Sequence, residues 1–440
     1  MTHPSLHRQG DGRSQQPLLK DEGRGRLPNI FPPGDEGGQG IRPSASRRST
    51  FRSRTPDYDA KNSTKRKYIY AAGFLVLSLI SFTVQTETAV YIQHELQWDK
   101  PYCMLYFTHS SWILLWPVQL LILRIQKRKL TWKAFWRRHI DLLRITAQMV
   151  ETQDLYLTSR DYGKSPVLYM FRTTAFLTSA LTVAGGSWYV AVNMTTASDL
   201  TAIYNCSAFF AYVFSIFLLR EKIRLDKVLS VVVAIVGVIV VAYGGSHSSG
   251  STDKSSQAAS ETGSRTMGNI IIGIGSILYG LYEVLYKRYA CPPEGSSPGR
   301  SVIFANTVGS MIGAFTLLVL WIPLPIFHIL GVEEFRWPTG EAGWLLIISI
   351  LANATFSGSF LVLMSLTSPV LSSVAALLTI FLVAIVDWGL TGNPLSAASI
   401  TGGFIIIAAF LLLSWSTYCE LDEERRHRLL DEEPESESDE

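Results

Sequence analysis

Apolar stretches of about 20 residues, nearly free of charge, recur along this chain, and they constrain its fold more than any other feature. A helix rises 1.5 Å per residue, so each stretch is long enough to cross a hydrocarbon layer of about 30 Å. Lipid offers no partners to backbone N–H and C=O groups, so such stretches must satisfy their hydrogen bonds internally, as helices. A closed barrel would need alternating strands of about ten residues, and that alternation is absent. Charged residues make up only 17 % of the chain, against about 25 % in soluble domains. They are gathered into islands between the apolar runs.

Five spans are expected in the first half, at Tyr68–Val90, Tyr102–Leu123, Val167–Val190, Leu200–Leu219 and Val228–Tyr243. Five more are expected at Met267–Tyr286, Ser301–Ile322, Gly343–Met364, Val370–Leu390 and Ala397–Ser414. Residues 1–67, rich in Gly, Pro, Ser and Arg, read as a disordered tail with no apolar signal-peptide core. The first repeat then covers 68–244, a Ser-rich linker 245–266, the second repeat 267–418 and an acidic tail 419–440.

Basic residues set the orientation. Lys65, Arg66 and Lys67 precede the first span, and Lys127 to Arg138 fill the second connector. Arg220, Lys222, Arg224 and Lys227 mark the fourth connector, and Lys287, Arg288 and Arg300 the sixth. With an even number of spans, these segments and both termini share one side, expected to be the cytosol. The linker and the loop with Glu333 and Glu334 fall on the other. The net charge of +3 identifies no partner, because basic and acidic blocks sit at opposite ends.

A faint echo relates the halves at a shift of 170 residues, pairing Leu181 with Leu351, Ser187 with Ser357 and Met194 with Met364. Five spans per half make the second copy inverted, the arrangement of many secondary transporters. The fold class expected is therefore an all-α membrane protein with ten transmembrane helices as two inverted five-helix repeats.

The stretch Trp188 to Tyr243 resembles the end of an EamA-type repeat: a Tyr/Ala-rich helix end, a turn carrying Arg220-Glu221-Lys222 with Leu225, and a helix with Gly237 near its middle. The second half departs from it, reading LVAIVDWGLTGNPLS with Asp387 displaced and no Glu at the turn. On these residues the chain is identified as a member of the drug/metabolite transporter superfamily. The stretch Ser81 to Pro117 makes it similar to the F-like branch of the solute carrier 35 family and to fungal vacuolar-membrane proteins. The resemblance implies two five-helix repeats and transport of a small metabolite. Vacuolar membrane is the preferred location, ahead of Golgi or ER.

Ionisable groups inside a span are costly, which makes them pathway candidates. Glu87 lies near the far end of the first span, as an interfacial carboxylate or a pathway residue. Arg172 either attracts an anionic solute or snorkels to headgroups. Glu283 and Lys287 stand four apart, suited to pair as a proton-carrying gate or as a plain interfacial salt bridge. Asp199 is expected as an N-cap. Uncharged candidates are more central: Asn353 with Thr355, Ser357 and Ser359, a stripe of Thr201, Asn205, Ala208, Tyr212 and Ser215, and another of Ser78, Ser81, Gln85 and Thr88. These line a cavity or act as polar glue between helices. Tyr204 and Tyr282 could stack on a ring-bearing solute, whereas Trp188 and Tyr189 are expected in the interfacial aromatic belt. Gly185, Gly186, Gly273, Gly275 and Gly280 permit close helix approach. Asn193-Met194-Thr195 is a sequon too near the membrane for glycosylation.

Cys103, Cys206, Cys291 and Cys419 form no CxxC or Cys/His cluster, so neither a disulfide framework nor a metal site is expected. No P-loop, HExxH, GxSG or paired-aspartate motif occurs, and no histidine is expected deep in a span. An enzyme is not expected, and no cofactor is. The expected partners are the bilayer, a small-molecule substrate and a second copy of the chain as a homodimer, with no nucleic acid. Two alternatives stay open: a non-transporting scaffold or sorting receptor, and a Golgi carrier of nucleotide sugars.

Overall fold

The apolar runs lie on helices, as far as they are described, in the computed structural model, which describes residues 56–158, 163–192, 194, 203–221, 223–243, 256–391 and 397–431. The described residues are helical throughout their regular structure. Helix α1 is Pro56–His94, and the second run divides into α2 (Pro101–Ser110), a 3₁₀ turn (Ser111–Leu114) and α3 (Leu115–Gln126). Next come α4 (Trp132–Thr152), α5 (Val167–Val192), α6 (Ser207–Phe214) ending in a π-helical turn, and α7 (Leu225–Tyr243). The later elements are α8 (Ser256–Ala290), α9 (Pro298–Val319), α10 (Pro323–Ile329) and α11 (Gly340–Leu366). The ninth run divides at Leu377 into α12 (Pro369–Ala376) and α13 (Leu378–Thr391), before α14 (Ala397–Asp431) closes the chain.

Among the described residues, six segments are long and apolar enough to cross a membrane by length and composition: 67–93, 167–192, 266–290, 298–329, 341–366 and 400–420. Shorter apolar helices occupy 203–219 and 369–380. Several helices run past the expected span ends: α1 begins at Pro56, α8 at Ser256, and α14 continues to Asp431. Helix α4 was not expected at all. Thr131 caps its start by accepting the Ala134 amide at 3.4 Å, and Gln153 ends it in the left-handed region at φ 55°.

Three extensively packed helix pairs organise the bundle: α1 on α11, α5 on α8, and α7 on α14. Helix α9 packs on α11 and on the broken second run. Leu177, Tyr286, Phe304 and Met364 fill one core, and Val231, Val374 and Ile406 another between α7, α12 and α14. Ala89, Met104, Trp188 and Leu346 form a third. The outward faces are apolar as well. Ile80, Phe176, Ile274, Leu351 and Phe404 are all exposed, which a soluble surface would not favour but lipid does. Close approach requires Gly280, where a Cβ would stand 2.7 Å from the Ser207 carbonyl oxygen and 2.8 Å from the Ala211 nitrogen. There α8 and α6 meet backbone to backbone.

Candidate functional site

A chamber opens where α1, α2, α5, α8 and α11 face one another. Helix α1 contributes Phe82 and Gln85, and the second run contributes His109 and, from its 3₁₀ turn, Trp112. Helix α5 adds Trp188 and Tyr189, α8 adds Tyr279 and Tyr282, and Tyr204 stands just before α6. Helix α11 supplies Asn353, Phe356, Ser357 and Phe360. The interior leaves about 60 Å³ for the centres of water-sized molecules, room for a handful of waters at about 10–15 Å³ each. A second, smaller cavity shares Phe82, Tyr204, Tyr279, Phe356 and Phe360 and extends the chamber to Asn205, Glu283, Ser373 and Thr379.

The walls are tied by a few buried hydrogen bonds. Trp112 Nε1 donates to Asn353 Oδ1 at 2.7 Å, joining the two halves of the chain. Gln85 Nε2 donates to the Tyr189 hydroxyl at 3.4 Å, and that hydroxyl lies 3.1 Å from Thr108 Oγ1. The Tyr204 and Tyr279 rings meet at a tilt of 38° with centroids 5.1 Å apart, and Phe82 meets Phe356 at 4.9 Å. Gly185 leaves room for His109, since a Cβ there would stand 2.9 Å from its Cε1.

Glu283 is fully buried, and Ser373 donates a hydrogen bond to its Oε2. Its Oε1 and the Tyr282 hydroxyl have no hydrogen-bond partner. The expected Glu283–Lys287 pair does not form. Lys287 Nζ instead donates to the carbonyls of Met364, Ser365 and Thr367, at 3.1, 3.2 and 2.6 Å. The reason is geometric: those carbonyls end α11 with no helical partners, and a cation answers several at once.

Of the other candidates, Tyr204, Asn205, Tyr282 and Asn353 line the joined cavities. Glu87 is half-buried and Arg172 exposed, and neither lines them. Trp188 and Tyr189 are buried chamber walls rather than an interfacial belt. His109 corrects the expectation that no histidine lies deep in a span; its position inside the second apolar run, in the last turn of α2, was the available signal. Trp112 was also missed, because nothing local reveals that its ring faces Asn353. Asn193, Asp199 and Thr201 lie outside the described residues.

A charged vestibule sits at the expected cytosolic end. Lys227 Nζ lies 2.7 Å from Glu420 and 3.6 Å from Glu221, and Arg224 Nη1 lies 2.9 Å from Glu423. Burial pushes the Glu221 carboxyl above the usual carboxylate range, with Lys227 pulling it only partly back. A carboxyl whose folded pKa is raised costs stability once pH passes its unfolded value of about 4.3. The cost grows until pH passes the raised value. Melting of Glu221→Gln is therefore expected to gain on the wild type as pH rises from about 4.5 toward neutrality, and then to hold level. A difference between the two proteins that stays constant or shrinks over that range would refute this assignment.

Residues 155–243, from the segment before α5 through α7, match the model of the EamA-like transporter family. This stretch is EamA-like. The chain is 27 % identical over 283 residues to an uncharacterized transporter of Schizosaccharomyces pombe, covering 62 % of this chain and 78 % of that one. It is 26 % identical over 248 residues to an uncharacterized vacuolar membrane protein of Saccharomyces cerevisiae, covering 52 % and 59 %. It is 27 % identical over 196 residues to solute carrier family 35 member F5 of Macaca fascicularis, covering 44 % and 41 %. The match thus spans less than two thirds of the latter two relatives. A solved crystal structure overlays 80 % of the chain with 12 % identity and a TM-score of 0.48. The resemblance to the drug/metabolite superfamily near the solute carrier 35 F branch, read from the residues, agrees with these similarities.

Proposed function

We propose that this chain is a secondary transporter that carries a small polar solute across an internal membrane by alternating access. The observation that carries this reading is the chamber itself. It is walled by helices from both halves of the chain and bridged by the Trp112–Asn353 hydrogen bond. A site between two halves is where rocking of one against the other would expose a solute to each side in turn.

We read ten membrane helices in two inverted halves, and the packing pattern supports it. Exchanging each span with the one five later turns the α1–α11 pair into the α8–α5 pair. The same exchange maps α7–α14, α6–α12 and the pairing of α9 with the second run onto themselves. Cytosolic termini follow from the basic connectors, and residence in an endomembrane is supported by the yeast relative's vacuolar description. With no P-loop in the sequence, a proton gradient or solute exchange is the expected energy source. The test is reconstitution of the full chain in vesicles, with labelled metabolites, nucleotide sugars included, offered with and without a pH gradient. Saturable uptake of one of them is expected. Uptake of none by well-folded protein would overturn the proposal.

A further inference from the structure

The chemistry of the chamber wall narrows what can occupy it. Nine of the sixteen lining residues are Phe, Tyr or Trp, and none of those described is Asp, Glu, Lys or Arg. Gln85, His109, Asn353 and Ser357 supply the hydrogen-bonding edges. A phosphorylated or carboxylated solute would lose its hydration here with no cation to replace it, a severe cost in a dry site. The nearest cation along α8, Lys287, is turned onto the carbonyls that end α11 and lines neither cavity.

Among the described residues, the one charge-bearing side chain that reaches the chamber is acidic. The cavity holding Glu283 shares five aromatic residues with the main one, so the carboxyl closes one end of the same aromatic box. Its Oε1 is buried and unpartnered, and the carboxyl shares its cavity with Tyr204 and Tyr279. A buried acceptor left without a donor is costly unless something else supplies one. Aromatic faces are electron-rich, and a cage of them around a carboxylate attracts a positively charged nitrogen.

We infer that the chamber is an organic-cation site, which takes a planar nitrogen heterocycle bearing a positive charge, stacks it between the aromatic walls and sets the charge against Glu283. The inference rests on the transporter reading only for how the solute reaches and leaves the site. Anionic metabolites, nucleotide sugars among them, are excluded by the absence of any cation in the described wall.

Three probes with one ring and three charges test this: 1-methylnicotinamide (cationic), nicotinamide (neutral) and nicotinate (anionic). Binding of tritiated 1-methylnicotinamide to the full purified chain is measured with each probe as competitor, and uptake into reconstituted vesicles is followed in parallel. The cation is expected to compete at least about tenfold better than the neutral probe, and nicotinate worst. In Glu283→Gln the advantage of the cation over nicotinamide is expected to shrink severalfold, to the part that the aromatic faces supply. The wild-type charge series stands alone should that variant fail to fold. Nicotinate or UDP-glucose competing as well as the cation would overturn the inference, as would an undiminished cation preference in Glu283→Gln. Binding of the cation without uptake of any solute would support the site and sink the transporter reading. Uptake of a nucleotide sugar without cation binding would do the opposite.

Discussion

Replacing Lys287 by methionine is expected to destabilise the protein by about 3 kcal/mol, because its ammonium answers three carbonyls that nothing else reaches. The last carbonyls of any helix lack intrahelical partners, and α11 ends at Leu366 beside the turn into α12. Lys287 reaches across from α8 and satisfies Met364, Ser365 and Thr367 together. A hydrogen bond from a charged donor is worth about 1.5–3 kcal/mol, and three sharing one ammonium are not additive. Methionine keeps the length of the apolar stem but donates nothing. Thermal unfolding of the purified protein in detergent is the measurement, with Arg172→Gln as the reference. Arg172 is exposed and should barely move the melting point. Had the residue served as the salt-bridge partner of Glu283, Glu283→Gln would relieve the defect in the double variant. With Lys287 bound to carbonyls, no relief is expected, and its appearance would restore the paired reading.

Asn353→Leu is expected to lower solute uptake at least about tenfold while costing about 1–3 kcal/mol of stability. The leucine removes the acceptor at 2.7 Å and leaves the Trp112 indole N–H buried without a partner. The two effects separate in a double variant. Removing both partners of a buried hydrogen bond is far less costly than removing one, so Trp112→Phe added to Asn353→Leu should recover most of the lost stability. Uptake should not recover, because the amide that faces the chamber is still gone. Uptake is followed with whichever labelled solute the vesicle screen returns. Wild-type rates in the single variant would remove Asn353 from the pathway and leave it as a strut between the 3₁₀ turn and α11.

The chamber was only partly legible in the sequence, for physical reasons visible in particular residues. Asn353, Asn205, Tyr204, Tyr282 and Glu283 stood out because a polar or aromatic group inside an apolar run has few cheap explanations. Arg172 and Glu87 stood out for the same reason, yet neither lines the joined cavities. Rotational position about the helix decides between the two cases. In a membrane helix lipid and protein interior are both apolar, so periodicity does not say which face is which. Trp188 illustrates it: a tryptophan near a span end fits an interfacial belt equally well, and only the packing of α5 on α8 turns it inward.

Helix α4 and the breaks in the second, fourth and ninth runs were illegible for a different cause. Apolar length predicts that a segment crosses, but a 3₁₀ turn at Ser111–Leu114 or a π turn at Ser215–Leu219 is set by what the neighbouring helices demand of the backbone. Helix α4 carries enough cations to read as a connector, and its apolar side is stabilised by contacts such as Trp116 Nε1 to His139 Nε2 at 3.1 Å. Those contacts join residues with no local sequence relation.

The apolar runs with which this chain announces itself were thus sufficient to determine the helical nature and the approximate place of the segments that carry them. The bilayer leaves unsatisfied backbone only one local solution, and the requirement can be read residue by residue. Which helices touch, which face of each is inward, that Lys287 ends α11 rather than pairing with Glu283, and that an aromatic box closes on a lone carboxyl were decided by tertiary structure alone. Those outcomes depend on atoms brought together from positions as far apart as 112 and 353, or 283 and 373, and no local pattern encodes such a meeting.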